Sequence, residues 1–289
     1  MTTIKMADKG HAHHEPEVPQ SGAIFTFGKS KFAENAPSKF WIKRDQIIAM
    51  SCGDEHTAVV THTGRLFTFG SNEFGQLGLG HNNNVLKPSC VKVLKPDKVL
   101  AVACGKAHTV VAMASGRLWS FGSNAEGQLG IGPREGPESE DSVNVPTLVQ
   151  FSFEMDAIVG LEAGNSHTLA LGQTGAVYVW GSNKEGQLGL GAEGEESLFV
   201  PTKLSAFMES CGPCKSISCG YYHSAIISDQ GGLYTFGEAD GGKLGLGDAT
   251  KDADVPTAVA LIEDKVIMLR NKTCVNKSID VIIALLLFT

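Results

Sequence analysis

The stretch CGDEHTAVVTHTGRLFTFGSNEFGQLGLG, residues 52–80, decides the fold because close copies of it recur along the chain. The glycine and histidine of its Gly-x-x-His motif recur together as Gly53 and His56, Gly105 and His108, Gly164 and His167, and Gly220 and His223. An aromatic-x-aromatic-Gly motif ends at Gly70, Gly122, Gly181 and Gly237, and once before these at Gly28. From Gly70 onward both motifs advance by the same 52, 59 and 56 residues. Two motifs that keep the same intervals indicate a repeat protein.

Each repeat predicts a series of short strands. In the first complete repeat an apolar run, residues 58–60, follows the histidine, and a turn at Gly64 leads to the alternating run 65–69. This is the pattern of a β-hairpin. The glycine-rich loop 70–80 and a strand-like stretch, 98–103, complete the unit. Three to four strands in about 50 residues form one blade of a β-propeller, so we predict an all-β fold.

The repeated glycines and histidines are predicted to be structural. A glycine-rich loop can adopt positive φ and bring one stretch of backbone close to another. A catalytic residue is needed once, whereas these histidines recur in every unit. We therefore expect all four to be buried and hydrogen-bonded to backbone groups, with a local ligand role as the alternative. We predict no catalytic residue, no metal and no cofactor.

Composition and charge exclude some classes of function. Glycine contributes 34 of the 289 residues, which favours many tight turns. The net charge of −7 argues against nucleic acid as a partner, because phosphate-binding proteins usually carry a basic face. The seven cysteines, with no secretory leader at the N-terminus, indicate reduced thiols in an intracellular protein. The apolar run 281–288 is too short to span a bilayer.

Residues 211–214, Cys-Gly-Pro-Cys, match the thioredoxin-type redox motif. That chemistry needs the first cysteine at the N-terminus of a helix, where its pKa falls. Here strand-like residues follow at 216–218 without room for a helix. Cys219 adds a third thiol, but it occupies the repeat position of Cys52 and Cys104. We interpret the pair as incidental, with redox catalysis and a zinc site as alternatives.

Three other segments each allow a more specific functional interpretation than the one we favour. His11, His13 and His14 could bind a transition metal, but they lie in a polar tail with two prolines, which favours disorder. The GQLGLG loops contain glycines in a nucleotide-binding pattern, but they open no helix. The run 281–288 could be a membrane anchor, although packing against an open core, or aggregation, is the favoured interpretation.

The unit CGxxHTxxxxxxGxLFxFGSNxxGQLGLG resembles the repeat of the regulator of chromosome condensation family, whose members form seven-bladed propellers. The resemblance runs from about residue 21 to about residue 266. Segments 21–41, 51–61, 219–225 and 236–247 resemble a ciliary branch of this family. Five aromatic-x-aromatic-Gly ends are present where a full ring has seven. We therefore predict an incomplete propeller of the seven-bladed type with about five blades.

The resemblance implies a binding function without catalysis. It implies a scaffold at the cilium, basal body or centrosome whose partners are the prenyl-binding delta subunit of phosphodiesterase, a coiled-coil interacting protein of the transition zone, and small GTPases. The alternatives are a guanine-nucleotide exchange factor for a small GTPase and a truncated isoform with reduced function. The founding member exchanges nucleotide on a Ran-type GTPase through a β-wedge hairpin. The candidate insertions here, 133–144 and 192–197, are acidic and are predicted to be solvated loops, so no exchange residue is carried over.

The repeat also sets the expected domain boundaries. We expect a disordered, histidine-rich tail at residues 1–20, propeller repeats at 21–262 and a non-repeat tail at 263–289. The fourth complete repeat would then have no successor to cover its apolar face. An arc that is open in this way is expected to be marginally stable alone, to oligomerise or to need a chaperone.

Overall fold

The structure, a computed structural model, describes residues 23–26, 38–133, 141–150, 156–247 and 251–260. These residues form a two-stranded hairpin and four sheets of four strands each. The hairpin consists of β1 (Ile24–Thr26) and β2 (Ser38–Phe40). Sheet I consists of β3 (Ile47–Cys52), β4 (His56–Thr61), β5 (Leu66–Gly70) and β6 (Val85–Cys90). Sheet II consists of β7 (Val99–Cys104), β8 (His108–Met113), β9 (Leu118–Ser123) and β10 (Ser142–Leu148).

The next two sheets follow the same plan. Sheet III consists of β11 (Ile158–Ala163), β12 (His167–Gly172), β13 (Val177–Ser182) and β14 (Ser197–Lys203). Sheet IV consists of β15 (Cys214–Cys219), β16 (His223–Ser228), β17 (Leu233–Gly237) and β18 (Ala253–Ala258). One short helix, α1 (Ser205–Cys211), joins sheets III and IV. Short 3-10 turns occur at Lys92–Leu94 and Asp240–Gly242.

Every sheet is an antiparallel meander in which consecutive strands pair. The first strand of each sheet lies against the first strand of the next, so β3, β7, β11 and β15 line a common axis. The Gly-x-x-His loops and the glycine-rich loops lie at one end of the strands, which we call the loop end. The hairpin turns after each second strand and the connections between sheets lie at the other end, which we call the turn end. This arrangement confirms the predicted all-β, propeller-type fold. Each of the four blades has four strands, where three to four were predicted.

The second strand of each sheet is a continuous apolar run because both of its faces are covered. On β4, Ala58 and Val60 pack toward sheet II, whereas Val59 packs toward the β1–β2 hairpin. All six residues of β8, β12 and β16 are buried. The three interfaces between sheets I to IV each contain an apolar cluster, so neighbouring sheets share their cores.

Three expectations need correction. On β16, Ile226 faces sheet III, yet Ala225 and Ile227 on the opposite face are also buried, at 1% and 0% exposure. The fourth sheet therefore does not present the open apolar face that we expected. Residues 142–144, which we assigned to a solvated loop, belong to β10, and Ser142 and Val143 pair with β9. The helix α1 was not expected.

The predicted tails, 1–20 and 263–289, lie outside the described residues, as do Gly28, the histidine cluster and the apolar run 281–288. Their assignments, and the domain boundaries that depend on them, stay predictions. Within the described ranges, no helix has the length and apolar character needed to cross a bilayer.

Candidate interaction face at the loop end

The four Gly-x-x-His motifs form tight loops between the first and second strands of their sheets. In each loop the glycine N–H donates to the carbonyl of the histidine, at 2.8 Å in sheet I and 2.9 Å in sheet III. The carbonyl of the residue before each histidine accepts a hydrogen bond from the residue directly after the aromatic-x-aromatic-Gly motif, as in the bond from Ser71 N to Glu55 O of 2.7 Å. These backbone bonds fix the loop and do not involve the side chains of the two residues between the glycine and the histidine.

The repeat histidines join neighbouring sheets through a hydroxyl group. His56 Nε2 lies 2.9 Å from Thr109 Oγ1, on the next sheet. That hydroxyl donates its proton to Gln76 O, back on sheet I, at 2.8 Å. Because its one proton is already used, the hydroxyl must accept from the imidazole, so Nε2 carries the hydrogen. We call this arrangement the histidine–hydroxyl relay.

The relay recurs at the next two interfaces. His108 Nε2 lies 3.0 Å from Thr168 Oγ1, which donates to Gln128 O. His167 Nε2 lies 3.0 Å from Ser224 Oγ, which donates to Gln187 O. All four histidines, including His223, are buried, as predicted. The backbone partner that we predicted is wrong for Nε2 of His56, His108 and His167, which pairs with a hydroxyl instead. The sequence contained a clue: the residue after each repeat histidine is threonine or serine.

The repeat glycines are required by close approach. A Cβ on Gly105 would overlap the imidazole of His108 and lie 2.6 Å from the carbonyl oxygen of Gly164 on the next sheet. The same overlap with the histidine of the same loop occurs at Gly53, Gly164 and Gly220. At Gly70, with φ of 114°, a Cβ would strike the carbonyl of Glu55, and Gly122, Gly181 and Gly237 repeat this geometry.

The glycine-rich loops act as clasps between sheets. Gly80 N donates to Asn144 O of sheet II at 2.9 Å, and Gly132 N donates to Phe199 O of sheet III at 2.9 Å. Gly191 N donates to Asp254 O of sheet IV at 2.8 Å. This confirms the expected positive φ and close backbone approach. Since each loop leads into a strand and bonds to a neighbouring sheet, the structure does not favour the nucleotide-site alternative.

The residues between the repeat glycine and histidine differ in every loop. Asp54 and Lys106 are exposed, and Tyr221 and Tyr222 are half-buried. The Tyr221 phenol donates to Asp54 Oδ2 at 3.3 Å, so this bond links sheets I and IV across the axis. The Lys106 ammonium lies 5.9 Å from the centre of the Tyr221 ring, and the two tyrosine rings meet edge to face at 4.8 Å. Asn165 N donates to Tyr221 O at 2.9 Å. We call these five residues the axial cluster.

A second repeated device, missed in the sequence, lies at the turn end. Asp45 accepts from Thr63 N and Thr63 Oγ1 and pairs with Arg65. Burial would raise the pKa of Asp45, but hydrogen bonds from Thr63, Thr61 and Arg65 outweigh it and lower that pKa to about 2. Asp97 with Ser115 and Asp156 with Thr174 repeat the contact, and each pair is 18 residues apart. That constant interval was visible in the sequence.

The Cys-Gly-Pro-Cys segment has the wrong geometry for thioredoxin-type chemistry. Cys211 is the last residue of α1, and Cys214 is the first residue of β15. Burial, with smaller contributions from Cys211 and Asp229, raises the pKa of Cys214 to about 12. The six cysteines in the described ranges are all free thiols. The structure therefore supports the interpretation of an incidental thiol pair.

Comparison with known proteins places this arrangement in a family. The chain is 46% identical over 302 residues to the X-linked retinitis pigmentosa GTPase regulator of Canis lupus familiaris, covering 87% of this chain and 29% of that protein. Among solved structures, human WBSCR16 has 25% identity and a TM-score of 0.71 over 81% of this chain and 57% of that one. Prp20p of Saccharomyces cerevisiae, at 24% identity and a TM-score of 0.69 over 81% of this chain and 56% of that one, shows the same fold.

The chain thus spans less than a third of the length of that curated relative. A family model, the RCC1-like domain, matches residues 10–281, which include all four Gly-x-x-His loops and every described strand. The relay histidines and the glycine clasps all lie within the matched residues, and the chain belongs to the RCC1-like domain family.

Proposed function

We propose that this chain is a protein-binding scaffold that acts without catalysis and binds partners through the axial cluster. One observation carries the proposal: the residues that repeat are used in bonds between sheets, whereas the residues between them differ from loop to loop and face the loop end. A surface that varies on a constant frame is suited to selecting a partner.

The chemistry of the axial cluster supports a protein partner. Tyr221 and Tyr222 are half-buried and held edge to face, so they can bury further area with little loss of side-chain freedom. The exposed charges of Asp54 and Lys106 flank them. Aromatic anchors beside complementary charges are typical of the residues that dominate binding at interfaces.

The names of the relatives suggest the class of partner. The similar canine protein is called a GTPase regulator, and Prp20p is described through its binding to Gsp1p and histones. We propose that this chain binds the prenyl-binding delta subunit of phosphodiesterase, a coiled-coil protein of the transition zone, or a small GTPase. This corresponds to a location at the cilium, basal body or centrosome.

Titration calorimetry of the whole chain against these three candidate partners tests the proposal. We expect at least one to bind, and we expect the Lys106→Glu and Asp54→Lys variants to weaken that binding about tenfold or more. Lys92→Glu, at the turn end, is the matched control and should bind normally. If none of the candidates binds, or if the loop-end variants bind like the control, the axial cluster is not the interface.

A nucleotide-release assay separates the scaffold from an exchange factor. We expect the chain to leave the rate of GDP release from a Ran-type GTPase unchanged. An acceleration of about tenfold or more would replace the scaffold proposal with an exchange activity.

A further inference from the structure

The turn end of sheets I and II carries exposed cations close together. The connection before β3 contributes Lys43 and Arg44, and the connection before β7 contributes Lys92, Lys95 and Lys98, all exposed. Arg117, in the hairpin turn of sheet II, is exposed as well. We call these six residues the basic patch. It stands out on a chain whose net charge is −7.

Backbone bonds make the basic patch one continuous surface. His62 N donates to Gln46 O at 2.7 Å, which joins the first connection to the hairpin turn of sheet I. Val99 N donates to Gly64 O at 3.0 Å, and Ala114 N donates to Lys98 O at 2.7 Å. The two connections and two turns are therefore held side by side.

The carboxylates near the basic patch offset only part of its charge. Asp45 is buried and engaged by Arg65 and Thr63, so it offsets a cation outside the six. Asp97 is half-buried, accepts hydrogen bonds from the backbone of Lys98 and Ser115, and attracts the Arg117 guanidinium, so it offsets part of one of the six charges.

Exposed apolar side chains are interleaved with these cations. Trp41 is 38% exposed and stands two residues before Lys43. Val93 is 60% exposed and stands between Lys92 and Lys95. Leu100, on the axial strand that follows, is 57% exposed. An indole and aliphatic side chains set among lysines are the combination with which peripheral proteins enter the interface of an anionic membrane.

We propose that the basic patch binds the surface of a membrane that contains anionic lipid. Four of the six cations are lysines, whose compact charge suits diffuse attraction to many headgroups, whereas recognition of single carboxylates favours the planar fork of arginine. Trp41 and Val93 then enter the headgroup region. The proposed protein partner binds at the opposite end of the strands, so the chain can bind a membrane and a partner at the same time.

Co-sedimentation of the whole chain with vesicles tests this inference. The probes are phosphatidylcholine vesicles with and without about 30 mol % phosphatidylserine, at about 0.1 M and about 0.5 M salt. We expect the partition coefficient to be about tenfold higher with phosphatidylserine, and the higher salt to remove most of that gain. The Lys92→Glu/Lys95→Glu double variant should lose about tenfold, and Val93→Ser should lose several-fold at both salt concentrations. Thermal melting confirms that the variants fold.

The matched control is Lys106→Glu/Lys184→Glu, which removes two exposed cations at the loop end and should bind vesicles normally. Equal binding to both kinds of vesicle, or equal loss in the control, would overturn the proposal.

A polyglutamate peptide tests the other class of partner, an acidic protein. If the charge reversals abolish binding of the peptide while Val93→Ser changes neither peptide nor vesicle binding, the patch serves an acidic protein and the membrane proposal is wrong. Neither result alters the loop-end titrations, so the two proposals fail independently.

Discussion

At the scale of single residues, the glycine and the histidine of each Gly-x-x-His motif depend on each other. Each imidazole occupies the space that its own Gly-x-x-His glycine leaves free, and in sheets I to III its Nε2–H reaches the next sheet. The glycine and the histidine are therefore one unit: a larger residue at Gly105 would displace the ring of His108. This explains why neither residue changes from repeat to repeat, while the two residues between them do.

We expect His108→Ala to lower the free energy of unfolding by about 1–3 kcal/mol, because it leaves the buried hydroxyl of Thr168 without its donor. Chemical denaturation monitored by fluorescence measures this. His62→Ala is the control, since that histidine is exposed in a hairpin turn and should change stability very little. A wild-type unfolding free energy for His108→Ala, together with loss of a specific partner, would show that the histidine serves binding.

Cys214 is expected to resist alkylation in the native protein. Burial raises its pKa to about 12, so the reactive thiolate is scarce at neutral pH and becomes common only in strong alkali. Mass spectrometry after brief treatment with iodoacetamide at pH 7.5 should find Cys214 unmodified and, after unfolding in denaturant, fully modified. Rapid native labelling at Cys214, or a disulfide between it and Cys211 under mild oxidant, would revive the redox alternative.

At the scale of elements, the contact between an aspartate and the hairpin turn fixes how sheets I to III enter their hairpins. Asp45 lies in the connection before sheet I and binds the turn between its second and third strands. Its folded pKa of about 2 lies below the ordinary value of 3.8, so its stabilising effect is complete above pH 3.8 and is lost as the pH falls toward 2. Hydrogen bonding to Ser115 lowers the pKa of Asp97 in the same direction.

We expect Asp45→Asn to remove part of the acid sensitivity. The difference between about 2 and 3.8 corresponds to about 2 kcal/mol of unfolding free energy that the wild type loses between pH 4 and pH 2. Denaturation curves across that range should be flatter for Asp45→Asn than for the wild type. Asp240→Asn, which changes an exposed aspartate at the loop end, should keep the wild-type slope. Equal slopes for wild type and Asp45→Asn would place the acid sensitivity elsewhere.

The elements that the sequence predicts best are those with a short-range pattern. The apolar runs after each histidine, the hairpin turns and the glycine-rich loops were predicted from spacing and composition. The helix α1 was not, because its seven residues have no capping hydroxyl and too few turns to show a helical period. The relay and the aspartate contacts join residues 18 to 60 positions apart. Only comparison of the same position in several repeats could have revealed them.

At the scale of the whole molecule, the two ends of the strands carry opposite charge. The loop end presents carboxylates in every sheet, namely Asp54, Glu55, Glu73, Glu126, Asp141, Glu185, Glu193, Glu195, Glu196 and Asp240. The basic patch lies at the turn end. A separation of charge along the axis orients the molecule in an external field, so an anionic surface at the turn end leaves the axial cluster facing away from it.

The sheets are stacked so that each shares its core mainly with its neighbours, which predicts how mutations combine. A stack of this kind behaves as a sum of units and interfaces. His56 belongs to the interface of sheets I and II, and Ser224 belongs to that of sheets III and IV. We expect the losses in unfolding free energy from His56→Ala and Ser224→Ala to add within about 0.5 kcal/mol.

His108→Ala and Thr168→Val remove the two ends of one relay bond, so their double variant should lose less unfolding free energy than the sum of the two single variants, by about 0.5 kcal/mol or more. The Tyr221–Asp54 bond, which joins sheets I and IV, is long and exposed, so it should add little coupling. Equilibrium denaturation of the four single and two double variants decides the matter. Strong coupling between His56 and Ser224 would show that the four sheets respond as one body, with the axial contacts carrying energy across the axis.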